Sequence, residues 1–410
     1  MKNVLEKRIG IIGGGQLGKM MILEAKRLGV YVVTLDPSMH CPSHSISDEH
    51  IVADFHDEKA IRELADKVDI ITYEFEHISA EVLARLGADG HVIYPAVSSL
   101  MSIQDKFIQK TKLRENGIKV PNFELITDFN RLCEYADRGG YPFILKSCKN
   151  GYDGKGNFLV RDENGLQIGF DALGGSFQGL MAEEFIDFDM EVSIIATRGI
   201  DGQKAVYPAA ENVHVDNILD ITTVPAVITA GLQANVCDIA EKVIDIFEGV
   251  GTFCVEMFVK KPPKNSSFIV TKSFSFRRFL DENNVIYVNE VAPRPHNSGH
   301  YTIEGCRVNQ FENHIRAILG LPLGDTSLLH NAVIMRNLLG QSDGEARAEG
   351  LERAYEVPGV NVHVYGKRQC KTQRKMGHYT ITGGTLEDVR CKDEKIKGII
   401  KITGSVTHPI

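Results

Sequence analysis

Over the first hundred residues, short continuous apolar runs alternate with segments whose apolar positions recur every three or four residues. These are the signatures of buried strands and of amphipathic helices. RIGII, VYVVTLD, DIITYE and HVIYP read as strands; helices are expected from GGGQLG to about Leu28, around 58–67 and near 79–86. The β-α-β-α-β-α-β order predicts a parallel doubly wound sheet with helices on both faces. After Pro95 the pattern changes to a polar helix over 98–116 that carries Lys106 and is closed by Pro121. YPFILKS, the two apolar runs of LMAEEFIDFDMEVSIIA, GTFCVEMFV and VIYVNEV read as strands, with an acidic linker between the two runs. Short strands near the end (NAVIMRNLL, VNVHVYG, HYTITGG) predict a small β-rich region. The expected fold class is therefore α/β followed by α+β.

Composition narrows the class without choosing a chemistry. At 410 residues the chain exceeds one ordinary core, so several domains are expected. An apolar fraction of 43% and a charged fraction of 24% are those of a soluble globular protein. No run approaches the roughly 18 apolar residues that would span a membrane. The apolar segment near the N-terminus is short for a signal peptide and reads as the first strand. Eight cysteines form no CxxC pair, and several lie inside apolar runs such as TFCVEMFV. They read as reduced buried thiols of a cytoplasmic protein. A net charge of −8 argues against nucleic acid as a partner.

Candidate chemistry is spread along the chain. Gly13 to Gly18 (GGGQLG) fits G-x-G-x-x-G, and Asp36 ends the next strand about 20 residues on, the spacing of a dinucleotide site. The same glycines would suit a plain tight turn, and the motif does not say whose phosphate it would hold. Lys146, inside YPFILKS, is followed by Gly151-Tyr152-Asp153-Gly154-Lys155-Gly156. A strand lysine and a glycine-rich hairpin can close over a triphosphate, although a solvated hairpin has the same composition. It is no Walker loop, since no GK[ST] opens a helix. In Glu183-Glu184-Phe185-Ile186, backbone groups could meet an adenine edge and Glu191 could take ribose hydroxyls; taken alone, an exposed acidic turn is the better reading. Glu256 and Glu290 each stand inside an apolar strand pattern. A buried carboxylate is costly unless paired or bound to metal. On neighbouring strands the two would suit Mg²⁺ bridging nucleotide phosphates, with Asn289 adding a neutral oxygen. The stretch NEVAPRPHNSGH that begins at Asn289 is stiffened by its prolines and rich in anion- and metal-binding groups.

In this order, Lys106, Lys146, GYDGKG, EEFI, Glu191, Glu256 and NE-x-x-PR-x-HNSGH resemble the ATP-grasp ligases, and within them the 5-(carboxyamino)imidazole ribonucleotide synthases of purine biosynthesis. The likeness runs from GGGQLG through YEFEH at 73–77 to RKMGH at 374–378, and NEVAPRPHNSGH is its most specific part. It implies a Rossmann-like domain over 1–100 and an ATP-grasp domain of two α+β lobes over 101–325, with a glycine-rich lid lobe at about 121–187. A small β-rich domain over 326–410 would follow. The implied reaction carboxylates 5-aminoimidazole ribonucleotide with bicarbonate through carboxyphosphate, giving the 5-carboxyamino product, ADP and phosphate. Lys106, Lys146, the 151–157 loop with Asn157, Glu183 to Ile186, Glu191 and His214 would bind ATP, joined by Asn289 and Glu290. Glu256 and Glu290 would hold Mg²⁺. Arg294 would clamp bicarbonate and His296 orient it, with Tyr152, Asp153, Lys155 and Lys375 closing the pocket; Asp153 is a candidate acceptor of the amine proton. The ribonucleotide would meet Gly15, Gln16, Leu17, Asp36, Glu74, Glu76, Asn297, Ser298, Arg374 and Lys375. A homodimer is expected. RKMGH is not Met-Lys-Met, so no biotin attachment is expected.

One segment departs from the family pattern. KKPPKNSSFIVTKSFSFRRFLDENN intervenes between Glu256 and Asn289, where the family has a short hairpin. We expect this insertion (about 260–284) to be a protruding hairpin or mobile loop outside the chemistry. Three rival readings remain: an NAD-dependent dehydrogenase, a non-catalytic nucleotide-binding module, and an ATP-grasp ligase using formate or an amino acid. The first leaves Glu256, Glu290 and the 289–300 stretch without purpose.

Overall fold

The computed structural model describes residues 3–149, 151, 156–175, 179–261 and 280–405. At the N-terminus, five parallel strands stand in the order Glu49–Ile51, Tyr31–Leu35, Arg8–Ile12, Ile70–Tyr73, Val92–Ile93. The inner strands are buried on both faces, which is why they read as continuous apolar runs. Helices Gln16–Arg27, Glu58–Lys67 and Ala80–Ala88 cover the sheet, the last two started by Asp57 and Ser79 accepting from Ala60 N and Val82 N. Strand order reverses between Arg8–Ile12 and Ile70–Tyr73. Their carboxyl ends therefore flank the crevice where such sheets bind ligands.

The polar helix expected over 98–116 is two helices, Val97–Gln104 and Lys106–Glu115. Asp105 is extended between them, and its carboxylate accepts from Phe107 N and Ile108 N. A cap inside the pattern restarts the helix and makes Lys106 its first residue.

A four-stranded antiparallel sheet follows, in the order Phe123–Ile126, Leu180–Glu184, Phe143–Ser147, Asn157–Val160, packed beneath helices Phe129–Gly139 and Asn164–Ala172. Among the described residues the largest sheet has nine strands. Eight run Val285–Ala292, Gly251–Lys260, Met190–Arg198, Ala210–Val215, Ile218–Val224, Ala332–Leu339, Lys375–Gly383, Val360–Val364, and Lys204–Val206 pairs beside Met190–Arg198. Helix Ala230–Phe247 buries Leu232, Val236, Ala240 and Val243 against it. The C-terminal β-rich region is thus continuous with this sheet, joined where Thr222 pairs with Met335. A separate small sheet holds Gln369–Cys370, Gly344–Glu349 and Lys401–Ser405. Most of the insertion lies outside the described residues; its ends are held where Lys261 N donates to Asp189 and Leu280 bridges to Ile228.

Candidate active site

Glu256 and Glu290 face each other in register on neighbouring antiparallel strands. A bulge follows at once: Met257 pairs with Val288, so Asn289 is the extra residue. Directly opposed like charges are destabilising. The two carboxylates escape this differently. Burial, then the field of Glu191, pushes the Glu256 carboxyl up to about 7. Burial acts the same way on Glu290, but Lys106 Nζ, 2.5 Å from Oε1, outweighs it and holds that carboxyl below its ordinary value. His296 Nε2 lies 3.6 Å from Glu256, yet burial and then Arg294 and Lys375 keep that imidazole well below its usual pKa, so it brings no charge. A surplus of negative charge on one sheet face is an environment that fits a divalent cation.

The lysines approach from the other side. Glu183, expected in an exposed acidic turn with Glu184, instead lies in strand Leu180–Glu184 and is 1% exposed. Lys146 and Lys110 flank it, with Nζ to carboxylate distances of 2.5 and 2.6 Å. Burial favours the neutral acid, but the two ammonium groups prevail and bring the Glu183 carboxyl down to about 2; burial lowers Lys110 to about 8. Lys110 was not singled out in the sequence. Its signal was the i+4 spacing from Lys106, which puts both on one helix face. Glu184 accepts from Asn122, Phe185 is exposed and Ile186 is buried. Glu191 lies 3.2 Å from His214 Nδ1; burial opposes the imidazolium, and Glu191 overcomes it to raise its pKa.

The stiff stretch begins later than expected, since Asn289 to Ala292 belong to the strand and the loop proper starts at Pro293. Arg294 Nε is 2.9 Å from Glu76 Oε1, and its Nη1 donates to Pro295 O at 3.1 Å. Gln310 clamps the loop by accepting from His296 N at 2.9 Å and donating to His296 O at 2.8 Å. Asn297 exchanges buried hydrogen bonds with Asn337, and Ser298 is fully buried. These two brace the loop internally.

In the glycine fingerprint the protein's own carboxylates meet the amides. Glu74 accepts from Gly15 N at 2.5 Å and Gly18 N at 2.7 Å, and Asp36 accepts from Gly14 N and Ser38 N. The amides that would cradle a phosphate are occupied by carboxylates of the protein itself. A Cβ on Gly15 would stand 2.6 Å from Glu74 Oε1, so the close approach of Glu74 requires glycine there. Gln16, Asp36 and Glu74 line one side of a cleft of ≈ 1160 Å³; Lys367, Arg368, Lys371 and Arg374 line the other. Leu17 is buried in the core beneath. Lys375 opens its strand close enough for its charge to act on Glu256 and His296. Tyr152, Asp153, Gly154 and Lys155 lie outside the described residues; Gly151 and Gly156 flank them, and Gly156 O accepts from Ser147 N at 2.8 Å.

Comparisons with known proteins agree along the chain. Family models match for a ribonucleotide synthetase preATP-grasp domain over residues 6–104, an ATP-grasp domain over 111–311, and a phosphoribosylaminoimidazole carboxylase C-terminal domain over 333–392. The N5-carboxyaminoimidazole ribonucleotide synthase of Staphylococcus aureus (strain COL) is 40% identical over 374 residues, covering 91% of this chain and 92% of that protein. The phosphoribosylaminoimidazole carboxylase of Schizosaccharomyces pombe is 35% identical, covering 98% and 69%. The crystal structure of N5-carboxyaminoimidazole ribonucleotide synthetase from Thermotoga maritima superposes with a TM-score of 0.84 at 39% identity, covering 97% of this chain and 100% of that one. N5-carboxyaminoimidazole synthase of Aspergillus clavatus, in complex with ADP and 5-aminoimidazole ribonucleotide, gives 0.84 at 30% identity, covering 97% and 99%.

Proposed function

The chain belongs to the N5-carboxyaminoimidazole ribonucleotide synthase family of ATP-grasp ligases, and from that membership we propose how its residues divide the work. The reaction is the ATP-dependent carboxylation of 5-aminoimidazole ribonucleotide in purine biosynthesis, with bicarbonate as the carbon source. Bicarbonate is a poor electrophile. Phosphorylation by the γ-phosphoryl group of ATP makes carboxyphosphate, which delivers CO₂ to the waiting amine and releases phosphate.

The observation that carries this reading is the facing pair Glu256–Glu290, with Lys106 on one member and His296 beside the other. These two carboxylates would hold Mg²⁺, which when bound neutralises the triphosphate. Lys106 and Lys146 meet phosphate oxygens, and Glu183 holds Lys146 and Lys110 in place. Residues 185–186 and the Glu191–His214 pair receive the adenosine. Tyr152, Asp153 and Lys155 are assigned to the nucleotide pocket, where exclusion of water would protect a labile anhydride. Arg294 presents a planar charged fork to bicarbonate, and His296 orients it.

The ribonucleotide enters the cleft between the two ends of the chain. Because Glu74 occupies the glycine amides, its phosphate takes the basic wall of Arg368, Lys371 and Arg374, while Gln16, Asp36 and Glu74 face its ring and sugar. The domains divide at about 100 and 325. No helix among the described residues is long and apolar enough to cross a membrane, and we place the enzyme in the cytoplasm as a homodimer. Phosphate release tests the reading. It should depend on bicarbonate and the ribonucleotide together. Release supported equally by formate or an amino acid would assign the chain to a different ligase reaction.

A further inference from the structure

Cys254, Glu256 and His296 bring a thiol sulfur, a carboxylate oxygen and an imidazole nitrogen within 4.8 Å of one another. The roles assigned above use the carboxylate and the imidazole but leave the thiol idle. Cys254 precedes Glu256 by two residues on strand Gly251–Lys260, so both side chains leave the same face. Cys254 is fully buried. The 3.6 Å from His296 Nε2 to Glu256 Oε1 is close to the spacing of two ligands about 2.0–2.2 Å from one tetrahedral metal.

A second layer supports these three. Ser298 Oγ accepts from Ser193 Oγ at 2.8 Å, and lies 2.9 Å from His296 Nδ1 and 3.7 Å from Cys254 Sγ. A hydroxyl has two acceptor positions and one proton to give. With a thiolate at Cys254 and the imidazole proton on Nδ1, all three contacts are satisfied together. Ser298 then accepts from Ser193 and from His296 Nδ1–H, and donates to the sulfur. That arrangement turns the Nε2 lone pair toward Glu256, where a metal would sit. Without metal, Ser298 N donates to His296 Nδ1 at 3.3 Å and leaves the proton on Nε2, facing the carboxylate. One serine serves both tautomers. Ser193 is itself held, since it accepts from Asn212 Nδ2 at 2.8 Å, and Asn212 accepts from Thr222 Oγ1 at 2.9 Å.

We propose that Cys254 Sγ, Glu256 and His296 Nε2 form a binding site for a thiophilic divalent cation of the Zn²⁺ class. Mg²⁺ takes oxygen ligands and gains nothing from the sulfur, whereas thiolate and imidazole favour zinc and its relatives. Binding forms metal–sulfur, metal–oxygen and metal–nitrogen bonds in place of bonds from the ion to water, and releases to solvent the thiol proton of Cys254 and any proton held by Glu256, with no change of oxidation state. Glu256 is shared with the Mg²⁺ pair, so an ion held here draws it and His296 out of the ATP reaction and inhibits turnover. That consequence rests on the function proposed above; the binding does not.

Co²⁺ reports the site directly. Titrated into the full chain, it should give a thiolate-to-cobalt charge-transfer band and tetrahedral d–d absorption. Both should vanish in Cys254→Ala, with Cys254→Ser as a second variant and circular dichroism confirming that each is folded. In the Mg²⁺-dependent phosphate-release assay, Cys254→Ala should keep its zinc-free rate and need roughly tenfold or more Zn²⁺ for the same inhibition. A missing band in the parent protein, or an equal band in the folded variants, would overturn the site. Cobalt binding that requires Cys254 while Zn²⁺ leaves turnover untouched would uphold it and instead refute the role given to Glu256.

Discussion

Glu256 has a neighbour of its own sign, Glu290, on the strand to one side and a second, Glu191, on the strand paired to its other side. With its carboxyl at about 7 against an ordinary 4.5, the folded protein holds a proton there that the unfolded chain has lost. The sign of the pH dependence follows. Stability of the metal-free protein should fall as pH rises from about 4.5 to about 7 and level off above. If Glu256 holds Mg²⁺ as proposed, the ion displaces the same proton, and its affinity should drop by about tenfold for each pH unit below 7. Urea unfolding in chelator and Mg²⁺ titrations across pH would measure both. A Glu256→Gln variant whose unfolding profile keeps the same slope would refute the assignment. Lys110 makes a second residue-scale case. Lys110→Met leaves Glu183 buried with one partner and should destabilise the fold by about 3–5 kcal/mol. Lys110→Met/Glu183→Gln should recover much of that stability while the ATP KM stays raised, because Lys146 has lost its holder; a double variant with normal KM would show that Lys146 needs none. Glu256 and Glu290 stood out in the sequence because carboxylates interrupt apolar runs. A buried lysine in a polar helix looks like any surface lysine, which is why Lys110 did not.

Elements obey the same distinction between local and distant causes. Strands and helices of the N-terminal sheet were legible because their apolar periods are local. The break at Asp105 was hidden because its cap needs no glycine or proline, only a carboxylate within reach of Phe107 N and Ile108 N. The bulge at Asn289 was illegible for another reason: it exists only in the pairing of Gly251–Lys260 with Val285–Ala292, and register between segments separated by an insertion leaves no local mark. Asp105 is consequential because the helix it starts begins with Lys106. Asp105→Ala should cost about 1 kcal/mol of stability and raise the ATP KM several-fold by loosening the first turn. Asp105→Asn, which still caps, should recover most of both. Equal effects of the two substitutions in denaturation and kinetics would show that the cap does not set the position of Lys106.

At the scale of the whole molecule, the N-terminal sheet packs on Phe311, Ile315 and Ile318 through an apolar cluster, and polar side chains cross the same seam, one of them charged. His314 spans the seam as a neutral ring, accepting from Thr252 N at 3.1 Å with its Nε2 2.9 Å from Thr72 Oγ1; burial pushes it down to about 3. Arg294 spans it as a cation, held at 2.9 Å by Glu76 of the first sheet's YEFEH turn. None of these contacts was legible, since each joins segments far apart in the chain, Thr72 and His314 by 242 positions and Thr252 and His314 by 62. The consequence is mechanistic. If Arg294 grips bicarbonate and Glu76 lines the ribonucleotide's approach, this ion pair ties formation of carboxyphosphate to the presence of the amine that must capture it. Removing the charge of Glu76 should leave Arg294 able to bind the anion but free to swing. Glu76→Gln should then hydrolyse ATP with bicarbonate while releasing more phosphate than carboxylated product. Arg294→Lys, which loses the planar fork, should lower both outputs by orders of magnitude. The double variant should be no worse than Arg294→Lys alone, because the two residues act through one contact. Measuring phosphate and product together decides it. A Glu76→Gln enzyme that keeps full rate with one phosphate per product would mean that the seam holds the sheets together and couples nothing.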